Sequence, residues 1–403
     1  MPQTGARSRL PRGYWRLWWA TGIDSVGDGA FTAAVPLLAV TLTRDPRLVS
    51  LVAATTYLPW LLVSLPAGVL VDRRERAGLM WRAQAAQAVL VGVVAVLVAV
   101  HRVGVPVLAV AAFGLGAGEV VFSNAAQAIL PDLVGKSLLH KANGAQQTIL
   151  TVGAQFLGPP VGSLLFAVAA GLPFGLDALS FAGSAALLAT LPRHPPEPAE
   201  HPRMRTATAD GLRWLAHHRL LRTMALLLGA NTFCNQFGMA TLVLLATGPL
   251  HVTARGYGVL LAGAAIGSLL GGLTNARLVA RFGELPALLA SLSANVLLFL
   301  GIGLAPSPIV LGFLLGANGF ATTLWNIVSV SLRQRIVPTR LFGRINSVYR
   351  MLGWGLMPVG ALAGGFVADT SGLHAPYLIA GVLRGVALLA ALPVFLTALR
   401  NPG

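Results

Sequence analysis

From Leu48 to Val71 the chain runs without one charged residue, and stretches of this kind recur along its whole length. An apolar run of about 20 residues matches the roughly 30 Å of hydrocarbon in a bilayer when wound as a helix. Lipid offers the backbone no hydrogen bonds, so a spanning segment must satisfy its own N–H and C=O groups, which a helix does. Twelve runs meet this demand: Tyr14 to Leu42, Leu48 to Val71, Ala77 to Val100, Gly104 to Leu130, Ala142 to Val168, Leu172 to Leu191, Leu220 to Leu250, Tyr257 to Ala280, Leu285 to Ala305, Pro308 to Leu332, Phe342 to Ala368 and Leu373 to Leu399. The break between the seventh and eighth runs is the weakest, resting on the short polar stretch His251 to Gly256.

Composition agrees with a protein whose solvent is lipid. Charged residues make up 10% of the chain, against about 25% in soluble domains, and mean hydropathy is +0.73. The net charge of +16 could suggest a nucleic-acid groove, but its distribution excludes that reading. With the N-terminus placed inside and each run crossing once, the 29 Lys and Arg residues gather on the inner side. Only Arg44, Arg47, Arg102 and Arg255 are left in outer loops, and Arg384 lies inside the last run. This is the positive-inside pattern, and it places both termini in the cytoplasm with basic loops against anionic lipid heads. The basic segment before Tyr14 reads as a retained tail rather than a signal peptide. Cys234 is the lone cysteine, so no internal disulfide is possible.

The charged loop Gly68-Val-Leu-Val-Asp72-Arg73-Arg-Glu-Arg76 has a counterpart 203 residues on, at Gly271-x-x-x-Asn275-Ala-Arg277. The same shift sets Arg16-Leu17 on Arg219-Leu220, Asp28 on Asn231, and Leu133-Val134, Lys141 and Asn143 on Ile336-Val337, Arg344 and Asn346. A shared shift over several regions marks a duplicated half, as internal repeats do in transporters. The chain therefore divides into a six-helix bundle over residues 1–191, a cytoplasmic linker over 192–219 that opens on the proline-rich Pro192 to Arg203, and a second six-helix bundle over 220–403. Within the linker, Thr206 to Arg219 fits an amphipathic surface helix with Leu212, Trp214 and Leu215 toward lipid, or a plain solvated connector. The stripe Gly263-x-x-x-Gly267-x-x-x-Gly271 favours close helix contact.

Two six-run halves, a basic central loop and the motif of Gly68, Asp72, Arg73 and Arg76 together resemble the major facilitator superfamily. The superfamily loop signature reads G-x-x-x-D-R-x-G-R-[RK]; here Glu75 stands in place of its glycine and Ala77 in place of its last basic residue. The resemblance implies an all-α membrane protein of twelve helices in two pseudo-symmetric bundles. It also implies a cytoplasmic gate at this loop, with partners near the start of the Phe342 to Arg350 helix. Gly158-Pro159-Pro160-Val161-Gly162 resembles the antiporter motif G-P-x-x-G-G, with Ser163 replacing the final glycine, and the resemblance implies export. A bend and a close interface there, against the eighth run, are expected. Tyr14-Trp-Arg-Leu-Trp-Trp followed by Ser25-Val-Gly-Asp28-Gly29 is similar to the drug:proton antiporter branch that includes macrolide and siderophore exporters. The Arg that many of that branch carry in the fourth helix is missing, and Glu119 is the only charge of the fourth run.

An ionised carboxylate at mid-membrane costs several kcal/mol, so carboxyls at that depth mark a cavity, a pairing or a proton site. Asp28 and Glu119 lie near the midplane by residue count, and Asp24 precedes Asp28 by one turn on the same face. These three carboxyls are the expected proton-coupling and cation-attracting groups. A capped structural role beside Gly22, Gly27 and Gly29 is the competing reading for the two aspartates. Asn231, Asn235 and Gln236 on the seventh run and Asn318, Thr322, Trp325 and Asn326 on the tenth are expected to line a substrate cavity, or else to hydrogen-bond between helices. Phe31, Phe113, Phe233 and Trp325 would supply its apolar wall. Asp177 and Asp369 read as interfacial groups, and Arg384 as a side chain that snorkels outward.

The fragment Gly135-Lys136-Ser137 lacks the earlier glycine that a phosphate-binding loop requires, since Leu130 holds that place. No cofactor, metal or nucleophile pattern stands out, and an enzyme is disfavoured. The expected function is a secondary transporter of the bacterial cell membrane. It would act as a monomer and export amphipathic, drug-like or metabolite molecules against protons by alternating access, with the lipid bilayer and the small-molecule substrate as its partners. Uptake or symport of a small metabolite, and a non-transporting protein that kept the fold, are the alternatives.

Overall fold

The computed structural model describes residues 10–135, 138–192 and 213–400, all of it helix and connecting turns with no strand among those residues. In the first part α1 is Arg12–Leu42, α2 Pro46–Leu62, α3 Ser64–Arg73, α4 Arg76–Ala99, α5 Val105–Val134 and α6 Leu139–Thr151. A π-helical turn, Val152–Leu157, leads into α7 Gly158–Val168, and α8 is Leu172–Ala189. After the linker come α9 Arg219–Met239, α10 Leu242–Thr247, α11 Ala254–Phe282, α12 Glu284–Gly303, α13 Pro308–Ile336, α14 Thr339–Gly355, α15 Met357–Ser371 and α16 Ala375–Arg400. Among the described residues, ten helical stretches are long and apolar enough to cross a membrane, two of them joining α6 to α7 and α14 to α15.

Two further runs, near 48–71 and 220–250, also fall into two helical pieces each, for local reasons. Pro66 has no N–H for the Leu62 carbonyl, so the run near 48–71 breaks between α2 and α3 at Val63. The run near 220–250 breaks at Ala240-Thr241, where the Thr241 hydroxyl turns back to the Gly238 carbonyl at 3.1 Å. At the seventh-to-eighth boundary His251 adopts a positive φ of 51°, and Thr253 caps α11 by accepting from the Gly256 N–H at 3.2 Å. The short polar stretch is thus a true break. Pro159 and Pro160 supply no N–H to the carbonyls four residues earlier, and the ladder ahead of them widens to the π-turn, closed by the Gly158 N–H on the Gly153 carbonyl.

Contacts group the chain into two compact units. One holds residues 1–35 and 62–199; the other holds 36–61 and 200–403. Helix α1 contributes to both, the division falling at Pro36. The first unit's core joins Tyr14, Leu17, Met80, Phe122, Ile129 and Leu188. The second unit's core joins Leu221, Met224, Leu292, Trp325, Tyr349 and Phe395. Leu215, which the sequence places toward lipid, is buried in that second core, with Trp214 packed beside it and stacked on His218; Leu212 lies outside the described residues. Large apolar side chains such as Val110, Ile309, Phe313 and Leu389 remain exposed, as suits helices solvated by hydrocarbon.

Within the second unit, small residues set the helix spacing. Gly267 of α11 lies so close to Gly316 of α13 that a Cβ would overlap the Gly316 carbonyl oxygen, and one on Gly271 would sit 2.7 Å from the Phe320 oxygen. The glycine stripe does what its sequence suggests. Gly365 of α15 meets Ser50 of α2, and beside this contact Arg47 forms an ion pair with Asp369 and covers the Phe366 ring.

This packing sets a sharp comparison. Gly267→Ala gains helix propensity of about 1 kcal/mol but meets backbone, which costs about 1–3 kcal/mol or more. Its unfolding temperature in detergent should therefore fall by several degrees. Gly272→Ala, at a position with open space around it, should hold or raise that temperature. Equal behaviour of the two variants would show that the α11–α13 contact is looser than described.

Candidate functional site

The first unit draws three carboxyl side chains from two helices into one place. Asp24 and Asp28 project from successive turns of α1, and Glu119 from the middle of α5. One oxygen from each lies within 4.8 Å of the other two. Asp24 is fully enclosed at 2% exposure, while Asp28 and Glu119 are half-buried. Three carboxyls that the sequence puts at neighbouring depths on two helices are thus brought together in one place.

Close helix packing is what makes the meeting possible. A Cβ on Gly29 would lie 2.8 Å from the Gly158 Cα, and one on Gly22 would lie 2.9 Å from Ile149. Ser25 donates to the Gly22 carbonyl at 3.0 Å and sits against Gly153 of the π-turn. Gln146 donates to the Thr21 hydroxyl at 2.5 Å. From α4, Gln84 Nε2 donates to Asp24 Oδ2 at 2.9 Å, and Gln87 donates to the Leu115 carbonyl at 3.2 Å. Asp24 Oδ1, Gln84 Oε1 and Gln87 Oε1 have no protein partner.

The charge balance is one-sided. The ionisable groups acting on Asp24 are Asp28, Glu119 and Asp177, with no base among them. Two ionised carboxylates at 4.8 Å repel by about 3 kcal/mol at an effective dielectric of about 20. That is a large share of a protein's stability, so the cluster is not stable with every carboxyl ionised. Its all-oxygen donor set accommodates shared protons, or a hard cation in their place.

Other expected site residues have other surroundings. Trp325 is buried in the second unit's core and is not a cavity wall there; Phe31 is likewise packed, edge-on to Phe174 with centroids 5.7 Å apart. Asn231 offers its backbone oxygen to Arg384 Nη2 at 3.1 Å, and the guanidinium lies 3.8 Å from the Phe299 ring centroid. Arg384 therefore turns into the second unit rather than snorkelling outward. Thr322 donates to Asn295 Oδ1 at 3.2 Å, Asn235 to Gln236 Oε1 at 3.4 Å, Asn318 Oδ1 is buried without a partner, and Asn326 is exposed. Helix-to-helix bonding thus occupies part of this set.

In the loop motif, Arg76 donates to Asp132 at 2.6 Å and to the Ala128 carbonyl at 3.2 Å, while Gly68 has open space and Arg73 is exposed. The Asp72 side chain lies outside the described residues. Glu75, which replaces the signature glycine, caps α4 by accepting from the Ala77 and Gly78 N–H groups. Gly158 and Gly162 of the antiporter-like motif press onto Gly29 and Ala30 of α1, with Pro159 buried beside them. Their described partner is α1, where the sequence pointed to the eighth run. Asp177, read as interfacial, is fully buried.

A family model described as transmembrane secretion effector matches residues 10–401. The multidrug efflux pump Tap of Mycobacterium tuberculosis is 28% identical over 378 residues, covering 89% of this chain and 88% of that protein. The enterobactin exporter EntS of Shigella boydii is 28% identical over 334 residues, covering 81% and 78%. Among solved structures, the nucleoside transporter NupG aligns over 97% of this chain and 100% of its own, with a TM-score of 0.73 at 15% identity. A bacterial homologue of the iron transporter ferroportin aligns over 94% and 98%, with a TM-score of 0.69 at 18% identity. The structural likenesses establish the fold alone.

If like charges press on one another in this cluster, Asp24→Asn keeps the acceptor for Gln84 and removes repulsion. Thermal unfolding of the purified variant should then match or exceed that of the parent protein, while Gln84→Ala, which strands Asp24, should lose about 1–3 kcal/mol. A drop in Asp24→Asn as large as that in Gln84→Ala would make the carboxylate a structural anchor.

Proposed function

The chain belongs to the transmembrane secretion effector family of the major facilitator superfamily, and from that premise we propose that it exports amphipathic, drug-like or metabolite molecules in exchange for protons. It is a multi-pass membrane transporter rather than an enzyme. The observation that carries the coupling is the group of Asp24, Asp28 and Glu119 within 4.8 Å and without a base. The efflux direction rests on its relatives, one named a multidrug efflux pump and one an enterobactin exporter.

On this reading the two halves, residues 1–191 and 220–403, alternate about the linker 192–219. Each half contributes six crossings, both termini are cytoplasmic, and the transporter works as a monomer in the bacterial cell membrane. With the site open outward, the carboxyls take up protons and the substrate leaves. With the site open inward, protons pass to the cytoplasm, and the ionised cluster attracts the next substrate, most strongly a cationic one. Asn231, Asn235, Gln236, Asn318, Thr322 and Asn326 orient the substrate through neutral hydrogen bonds, which restrain it without competing for the coupling proton.

The test uses proteoliposomes with an imposed pH gradient and a panel of hydrophobic cations. Asp28→Asn and Glu119→Gln should each cut gradient-driven transport by roughly tenfold or more, with passive exchange retained. Intact gradient-driven transport in both variants would defeat the proposal.

A further inference from the structure

Asp177 is the acidic residue whose setting departs furthest from its sequence reading. It lies in the second turn of α8 at 0% exposure. Its Oδ1 accepts from the Ser180 hydroxyl at 3.4 Å, and the same hydroxyl reaches the Asp177 backbone oxygen at 2.8 Å. Oδ2 is buried without a partner. Both Asp177 Oδ1 and Ser180 Oγ rest against Gly27 of α1, so closely that a Cβ at residue 27 would overlap them. Gly27 adjoins Asp28 in sequence, which brings a fourth carboxyl up to the backbone of the helix that carries two of the other three.

The surroundings offer this carboxyl no compensation. Asp28 acts on it from α1, and it acts in turn on Asp24. Glu119 joins the group from α5, while α4 brings the neutral Gln84 and Gln87 and α8 itself brings Ser180. No base acts on it. A hydrogen bond that only stitched α8 to α1 could be made by Ser180 alone or by an amide. The second unit shows such a stitch at the equivalent place: under the 203-residue shift Asp28 falls on Asn231, and there the last helix attaches through Arg384 to a backbone carbonyl. A carboxyl added to an acidic cluster weakens the fold when ionised and is explained by proton exchange.

We propose that Asp177 is a fourth proton-exchanging carboxyl of the coupling site, passing a proton to and from Asp28. This rests on the proton-coupled reading above. The step is one proton transfer: an O–H bond on Asp177 breaks, an O–H bond on Asp28 forms, and the negative charge moves from Asp28 to Asp177 with no change of oxidation state.

Infrared difference spectra of the purified full-length protein between about pH 5 and pH 9 test this without a known substrate, because a protonated carboxyl has its own C=O band. Asp177→Asn should remove one component of the titrating carboxyl band, as Asp28→Asn should. In proteoliposomes it should also lower ethidium transport driven by a pH gradient by roughly tenfold. Ser180→Ala, which keeps the carboxyl, should move its component along the pH axis, and serves if Asp177→Asn does not fold. An unchanged band and pH profile in Asp177→Asn or Ser180→Ala, with Asp28→Asn still altering both, would overturn the role of Asp177 alone. Unchanged spectra in Asp28→Asn and Glu119→Gln as well would overturn the coupling site itself.

Discussion

Carboxyls in hydrocarbon must be bonded, paired or protonated, and the first unit carries four of them with one amide donor, one hydroxyl donor and no base in their company. Repulsion of about 3 kcal/mol for each ionised pair exceeds what the single bond from Gln84 returns. The cluster therefore calls for shared protons or a hard cation to offset its charge. A group that keeps its proton only while its neighbours keep their charge is poised to exchange it when water or a cation enters.

Such a cluster can form only where helices approach more closely than ordinary side chains allow. Gly22, Gly27, Gly29, Gly153 and Gly158 remove the Cβ atoms that would hold α1 away from α6, α8 and the π-turn. The π-turn belongs to the same arrangement: the prolines that follow it widen the ladder and bring Gly153 against Ser25. The antiporter-like motif thus acts on the helix that bears Asp24 and Asp28, which links its glycines to the carboxyls through packing rather than through any chemistry of their own.

Depth along a run was enough to find Asp24, Asp28 and Glu119, because a helix rises by a fixed amount per residue and a midplane charge is conspicuous. Depth failed for Asp177. It stands five residues after Leu172, which counts as interfacial if the run begins at the membrane surface, yet α8 places it level with Gly27. Arg384 and Trp325 failed for a related reason: periodicity gives a side chain's height on a helix, whereas its direction depends on which helices are neighbours. Both point into the second unit's interior, toward Asn231 and the core respectively. The breaks at Val63 and Thr241 were hidden because both flanks are equally apolar.

The duplicated halves then give a reason why ionisable chemistry gathers in one of them. A shift of 203 residues sets Asp28 on Asn231, and the sixth run of each half returns to that turn, with an acid in the first unit and a base in the second. In the second, the base is bonded to a backbone carbonyl and covered by the Phe299 ring, so its charge is committed to the fold. In the first, Asp24 and Asp177 each keep a bare oxygen and no counterion. At this position the second unit has a fixed attachment, and the first unit is chemically open. On the proposed reading, that difference lets a single half carry the coupling ion while its counterpart, free of titrating carboxyls at this level, is left to fit the substrate.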